Sequence, residues 1–85
     1  MATISLCMIV KNEELTLARC LNSCKKLFDE IIIVDTGSHD KTKQIARKYT
    51  NQIYDFKWQN DFSLARNYAF SKATSEYFMY LDLFL

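Results

Sequence analysis

Apolar residues along this chain fall into two alternating patterns, short continuous runs and spaced stripes. Ile4 to Val10 is nearly unbroken apolar sequence and suits a strand buried on both faces. Asn12 is placed to cap a helix that opens with Glu13 and Glu14, acids favoured at the positive helix end. Leu17, Cys20, Leu21 and Cys24 then make one helical stripe, closed by Lys25 and Lys26. Glu30 leads into Ile31-Ile32-Ile33-Val34, a second run rich in β-branched side chains. Asp35-Thr36-Gly37-Ser38 interrupts it; Gly37 is expected at positive φ, with Ser38 or Asp40 capping the helix that follows. Thr42, Ile45, Ala46 and Tyr49 continue at helical spacing. Gln52 to Phe56 reads as a third, shorter strand and Trp58 to Asn60 as loop. Asp61 can cap a helix carrying Ala65, Tyr68, Ala69 and Ala73, and Glu76 to Leu85 reads as a fourth strand.

The order βαβαβαβ predicts an α/β fold, a three-layer Rossmann-like half of four mainly parallel strands with three helices and right-handed crossovers. Ligands in such sheets lie beyond the carboxyl ends of the strands. That rule singles out Val10 to Glu13, Asp35 to Ser38, and Asp82. No repeat or linker divides residues 1–85, so one domain is expected.

Composition narrows the function. With 49% hydrophobic residues the chain is too apolar to be disordered. A net charge of +1 offers nothing to nucleic acid or anionic lipid. No apolar run is long enough for a membrane span, and the opening residues lack the basic start of a signal peptide. Three cysteines, at 7, 20 and 24, have no metal-like spacing and point to free thiols in a reducing, cytoplasmic setting.

Asp35-Thr36-Gly37-Ser38 resembles the active-site signature of aspartic proteases, and a chain of 85 residues is near the length of one half of a retroviral-type dimer. That family is all-β and rich in glycine. Here one glycine serves the whole chain and helical periods flank the motif.

A second resemblance takes in nearly the whole chain. Ile4 to Glu14 is similar to the opening strand and turn of family 2 glycosyltransferases, and Ile31 to Asp40 to their hydrophobic strand ending in D-x-G-S-x-D. The stretch Trp58-x-x-Asp61-Phe62-Ser63-x-Ala65-Arg66-Asn67 resembles the subgroup with a W-x-x-D-F-S-x-A-R-N signature, often associated with tetratricopeptide repeats. Glu76 to Asp82 is similar to the fourth strand, which in that family leads into a D-x-D metal motif.

The resemblance implies a GT-A fold and transfer of a sugar from a nucleotide-diphosphate donor, of UDP or GDP type, with Mg²⁺ or Mn²⁺ neutralising the departing diphosphate. It implies that Ile9, Val10, Asn12 and Glu13 border the base and ribose. Glu13 is either a ribose acceptor or simply a first-turn helix acid. Asp35 and Ser38 would face the nucleobase. Thr36 stands where a second aspartate is common. Arg66 would lie near base or diphosphate, with Asn67 beside it, and Trp58 reads better as packing than as a sugar platform. Asp82 would be a metal ligand, but Leu83-Phe84-Leu85 follows where the family carries further acids.

The chain therefore reads as the amino-terminal, donor-binding part of such an enzyme, binding no metal and not catalytic alone. A non-catalytic oligomerisation or interaction module is the alternative. The apolar, β-prone segment 76–85 is expected to self-associate, by antiparallel edge pairing or by swapping.

Overall fold

The computed structural model describes residues 2–84, the last three through their backbone alone. Four strands form one sheet: β1 (Ile4–Lys11), β2 (Glu30–Asp35), β3 (Ile53–Asp55) and β4 (Tyr77–Phe84). Their order is β3-β2-β1-β4 and every pairing is parallel. Helices α1 (Leu17–Cys24), α2 (Thr42–Ala46) and α3 (Phe62–Lys72) make the crossovers. The expected Rossmann-like α/β half-fold is present, and an all-β protease is excluded.

The two apolar runs form the middle of the sheet because both their faces need cover. Leu6, Met8 and Val10 of β1 pack with Ile31 and Ile33 of β2 beneath Leu17 and Leu21 of α1 and Ala46 of α2. On the opposite face Cys7, Ile9, Ile32 and Val34 pack under Ala65 and Ala69 of α3. Small residues on α3 let that helix lie close to the sheet. Cys7 is fully buried, and burial, followed by the negative charge of Glu30, pushes its thiol up to about 11. It is an inert core residue.

Some boundaries differ from those read in the sequence. Asn12 does not cap α1: it adopts a left-handed φ of 52°, and the helix begins after Thr16. Glu13 and Glu14 therefore lie in the preceding turn, and the first turn of α1 holds no acid. Lys25 and Lys26 fall in a separate 3-10 turn (Lys25–Leu27). The second helix has five residues, with Lys41 rather than Ser38 or Asp40 at its cap position, and Tyr49 lies beyond its end. Asp61 does cap α3, accepting the Ser63 amide at 2.8 Å.

The amino ends of the strands are tied by Glu30. Its Oε1 accepts the Ser5 hydroxyl at 2.6 Å and the Thr74 amide at 2.9 Å. Its Oε2 accepts Gln52 Nε2 at 2.8 Å and the Thr74 hydroxyl at 3.1 Å. One carboxylate thus joins β1, β2, the approach to β3 and the turn before β4. Burial, the largest single influence, would raise its pKa; the bonds from Ser5, Thr74 and Gln52 together overcome it and bring it down to about 2. A carboxylate depressed in the folded state stabilises above its unfolded value and loses that contribution as pH falls through the folded one. The window here runs from about 4.5 down to about 2. In urea unfolding at stepped pH, Glu30→Gln should cost about 1–3 kcal/mol at neutral pH. Its acid limb should be flatter than that of the unsubstituted chain across the same window.

Candidate functional site

The carboxyl ends of the strands lie side by side: Val10 is the register partner of Asp35, and Asp35 that of Asp55. On the other flank Ile9 is paired with Asp82. Because α1 and α3 cover opposite faces, the chain leaves the sheet in opposite directions around β1, the arrangement that opens a crevice in such folds.

Two loops meet over the ends of β1 and β2, and they are laced together. The Asn12 amide donates to Ser38 Oγ at 2.9 Å, while Asn12 Oδ1 accepts the His39 amide at 2.8 Å. The Glu13 amide donates to Thr42 Oγ1 at 2.8 Å, and the Glu14 amide to Asp40 Oδ2 at 3.2 Å. Asp40 Oδ1 in turn accepts both the amide, at 2.9 Å, and the hydroxyl of Thr42. Burial opposes ionisation of Asp40, but these bonds outweigh it and hold its carboxyl below the ordinary range. The left-handed turn at Asn12 is what aims successive amides at the second loop.

Asp35 ends β2 and is 2% exposed. Its Oδ1 accepts the amides of Gly37 at 2.9 Å and Ser38 at 2.8 Å, closing a turn in which Gly37 takes a φ of 109°. Its Oδ2 is buried and has no hydrogen-bond partner. Leaving a buried polar atom unsatisfied costs about 1–3 kcal/mol, more when it is charged. Asp35 shares the wall of an open cavity of about 390 Å³ with Gly37, Lys43, Asp55, Phe56 and Lys57. Lys43 Nζ pairs with Asp55 at 2.7 Å across its mouth. A pair this exposed is worth about 0–1 kcal/mol. A second cavity of about 330 Å³ lies over the first loop, lined by Asn12, Glu13, Glu14, Leu15, Thr16 and Asp40. There Glu13 Oε1 accepts the Thr16 hydroxyl at 2.6 Å.

The structure separates the residues picked out in the sequence into groups. Asn12, Glu13 and Ser38 belong to the laced loops, and Asp35 to the cavity beside them. Thr36 is 3% exposed and donates both amide, at 3.1 Å, and hydroxyl, at 3.2 Å, to the Val10 carbonyl, so it joins β2 to β1. The side chains of Ile9 and Val10 are wholly buried, one on each face. Arg66 lies on α3, across the sheet; its guanidinium stacks 4.3 Å from the centre of the Tyr80 ring. Neither cavity at this end is lined by Arg66 or by Asn67, which is exposed on the same helix. Trp58 packs edge-on against Phe62, 4.8 Å between ring centres. Lys43, Asp55 and Lys57 belong to no sequence motif, although the strand-end rule that selects Asp35 selects Asp55 equally.

The side chain of Asp82, the residue expected to hold a divalent metal, lies outside what the structure describes. Mg²⁺ and Mn²⁺ take several oxygen ligands, and the segment offers one carboxylate followed by Leu83, Phe84 and Leu85. Among the described residues no group of three or more His, Cys, Asp or Glu is placed to hold an ion.

A parallel sheet with helices on both faces and polar loops at its carboxyl edge defines a Rossmann-like α/β domain. Residues 5–83 match the model of the family described as Glycosyl transferase family 2, and the chain belongs to that family. It is 46% identical over 82 residues to a TPR repeat-containing protein of Synechococcus elongatus, covering 96% of this chain and 20% of that protein. It is 42% identical over 83 residues to the SPbeta prophage-derived glycosyltransferase SunS of Bacillus subtilis, covering 94% and 19%. The fold is that of glucosyl-3-phosphoglycerate synthase from Mycobacterium tuberculosis, with a TM-score of 0.80 at 22% identity over 95% of this chain and 33% of that one. That enzyme has been solved with Mg²⁺ and UDP and with Mn²⁺ and UDP-glucose. The chain thus spans about a fifth of these curated relatives and a third of the solved enzyme.

If the laced loops are what hold the strand ends in place, Thr42→Val removes the hydroxyl at their centre and strands the Glu13 amide. The expected loss is about 1–3 kcal/mol in chemical denaturation. Amide exchange should quicken at residues 12–14 and 38–42 and remain slow in β2.

Proposed function

We propose that this chain binds the nucleotide portion of a nucleotide-diphosphate sugar, of UDP or GDP type, at the carboxyl ends of β1, β2 and β3. The single observation behind this reading is Asp35 Oδ2, a buried carboxylate oxygen with no donor beside an open cavity of suitable size. A nucleobase ring N–H supplies the missing donor. The oxygen is shut from water, so a base reaches it only as side chains at the rim move aside; the long Lys43 and Lys57 are suited to that.

Glu13 lines the adjacent cavity and, in this reading, accepts a ribose hydroxyl through its second oxygen. The laced loops keep that acid and Asp35 at a constant separation, so only side chains at the rim have to adjust to the donor. Arg66 would meet the diphosphate only by leaving the ring of Tyr80, and Asn67 is the nearer polar group to solvent. In family members a divalent ion stabilises the leaving diphosphate. In this reading the chain holds the donor, and transfer also needs an acceptor site and a general base. The three free thiols are in keeping with a reducing, cytoplasmic setting, and no helix among the described residues is long and apolar enough to cross a membrane.

The second reading, an interaction module that keeps the fold without the chemistry, is favoured by one observation: Tyr77, Phe78, Met79 and Leu81 of β4 are all exposed. Titration calorimetry with UDP, GDP and their sugars, with and without Mn²⁺, separates the two. Binding of UDP or GDP, weakened about tenfold to a hundredfold by Asp35→Ala, supports the donor site. Absence of heat from every nucleotide, or an Asp35→Ala titration identical to that of the unsubstituted chain, overturns it.

A further inference from the structure

Glu13 is held from two sides. Its Oε1 accepts the Thr16 hydroxyl at 2.6 Å, from its own turn, and its amide donates to Thr42 Oγ1 at 2.8 Å, from the loop after β2. The residue is only 7% exposed, so its carboxylate has little room to reorient and its place is set by the backbone beneath it.

The hold on that backbone depends on which way one hydroxyl points. Thr42 is wholly buried, and its hydroxyl carries a single proton. An amide can only donate, so the hydroxyl must meet Glu13 with a lone pair and send its proton elsewhere. Asp40 Oδ1 takes that proton, and the same oxygen accepts the Thr42 amide at 2.9 Å. Asp40 Oδ2 accepts the Glu14 amide at 3.2 Å. An ionised carboxylate only accepts, so every bond in this relay has a fixed direction. Asp40 thus holds two successive amides of the first loop, that of Glu14 directly and that of Glu13 through the hydroxyl it orients. Both acids line the same cavity, but Asp40 already engages each of its oxygens, whereas Glu13 keeps its second oxygen for a ligand.

We propose that Asp40 is a positioning residue for ribose recognition: by orienting the Thr42 hydroxyl it fixes Glu13, and so sets how strongly the site favours a nucleotide that carries the ribose hydroxyl. This inference rests on the donor-site reading above, in which Glu13 accepts that hydroxyl. Asp40 itself does not touch the nucleotide. Asp35 is held by the amides of Gly37 and Ser38 instead, so loss of the relay strikes the ribose and spares the base.

Titration calorimetry of UDP and GDP, each beside its 2′-deoxy and 3′-deoxy forms, tests it. For whichever nucleotide binds, the unsubstituted chain should favour the ribo form over one deoxy form by about tenfold. Asp40→Asn keeps the size of the side chain but sets an NH₂ against one of the donors that the carboxylate accepts. It should weaken the ribo form about tenfold and leave that deoxy form within about twofold, because the deoxy form already lacks the contact. Thr42→Val should do the same and Thr42→Ser should not; this pair carries the test if Asp40→Asn fails to fold. Glu30→Gln, which loosens the opposite end of the sheet, should leave the preference unchanged.

An unsubstituted chain indifferent to both hydroxyls overturns the inference while leaving the Asp35 site intact. So does an Asp40→Asn protein that keeps the full preference, or equal preference in Thr42→Val and Thr42→Ser. A Glu30→Gln protein that loses the preference overturns it too, since general loosening would then account for the effect. Absence of nucleotide binding, or binding indifferent to Asp35→Ala, overturns the donor-site reading and this inference with it.

Discussion

The burial of β1 and β2 on both faces is the constraint from which the rest follows. A strand with apolar side chains on both faces must be covered above and below, and here helices on both sides of the sheet do so. Each helix that provides cover is also a crossover, so every strand runs in the same direction and all four carboxyl ends arrive at one edge. The polar loops gather there because no other place at that end of the molecule is free of core. At the amino end Glu30 collects the strand starts with four of its neighbours' groups shared among two oxygens, and the two ends together keep the sheet in register.

The loops at the carboxyl edge spend most of their polar groups on one another. Asn12, Glu13, Ser38, Asp40 and Thr42 answer amides and hydroxyls across the gap between β1 and β2, and Thr36 answers the Val10 carbonyl. Against that background the unanswered oxygen of Asp35 stands out, because its own second oxygen is fully used in the turn. Membership of glycosyl transferase family 2 gives that oxygen a chemical context, and the ion pair of Lys43 with Asp55 supplies a charged mouth to the cavity next to it.

The same logic of coverage explains the apolar exposure of β4 among the described residues. Three helices suffice for β1, β2 and most of β3, but β4 lies beyond the reach of α1 and receives α3 on one side only. Phe70 of α3 stacks on Phe78 at 4.4 Å between ring centres, yet Phe78 remains nearly half exposed. The solved enzyme of the same fold is about three times as long.

Much of this was legible in the chain's pattern. The runs Ile4–Val10 and Ile31–Val34 announce doubly covered strands, the order of elements demands parallel pairing, and Gly37 and Asp61 occupy the turn and cap their chemistry suits. The strand-end rule located Asp35. What misled was local propensity: Asn12, Glu13 and Glu14 have the composition of a helix start, but the second loop offers them better partners, so the helix begins four residues later. Lys43 and Asp55 are twelve residues apart and carry no motif; only the fold sets them at one cavity. The sequence by itself determined which residues must be buried and hence the order and direction of the strands, because burial of apolar surface depends on side chains alone. Which polar atoms of the loops found partners, and that Asp35 Oδ2 did not, was decided by tertiary structure, because hydrogen bonds depend on where distant segments meet.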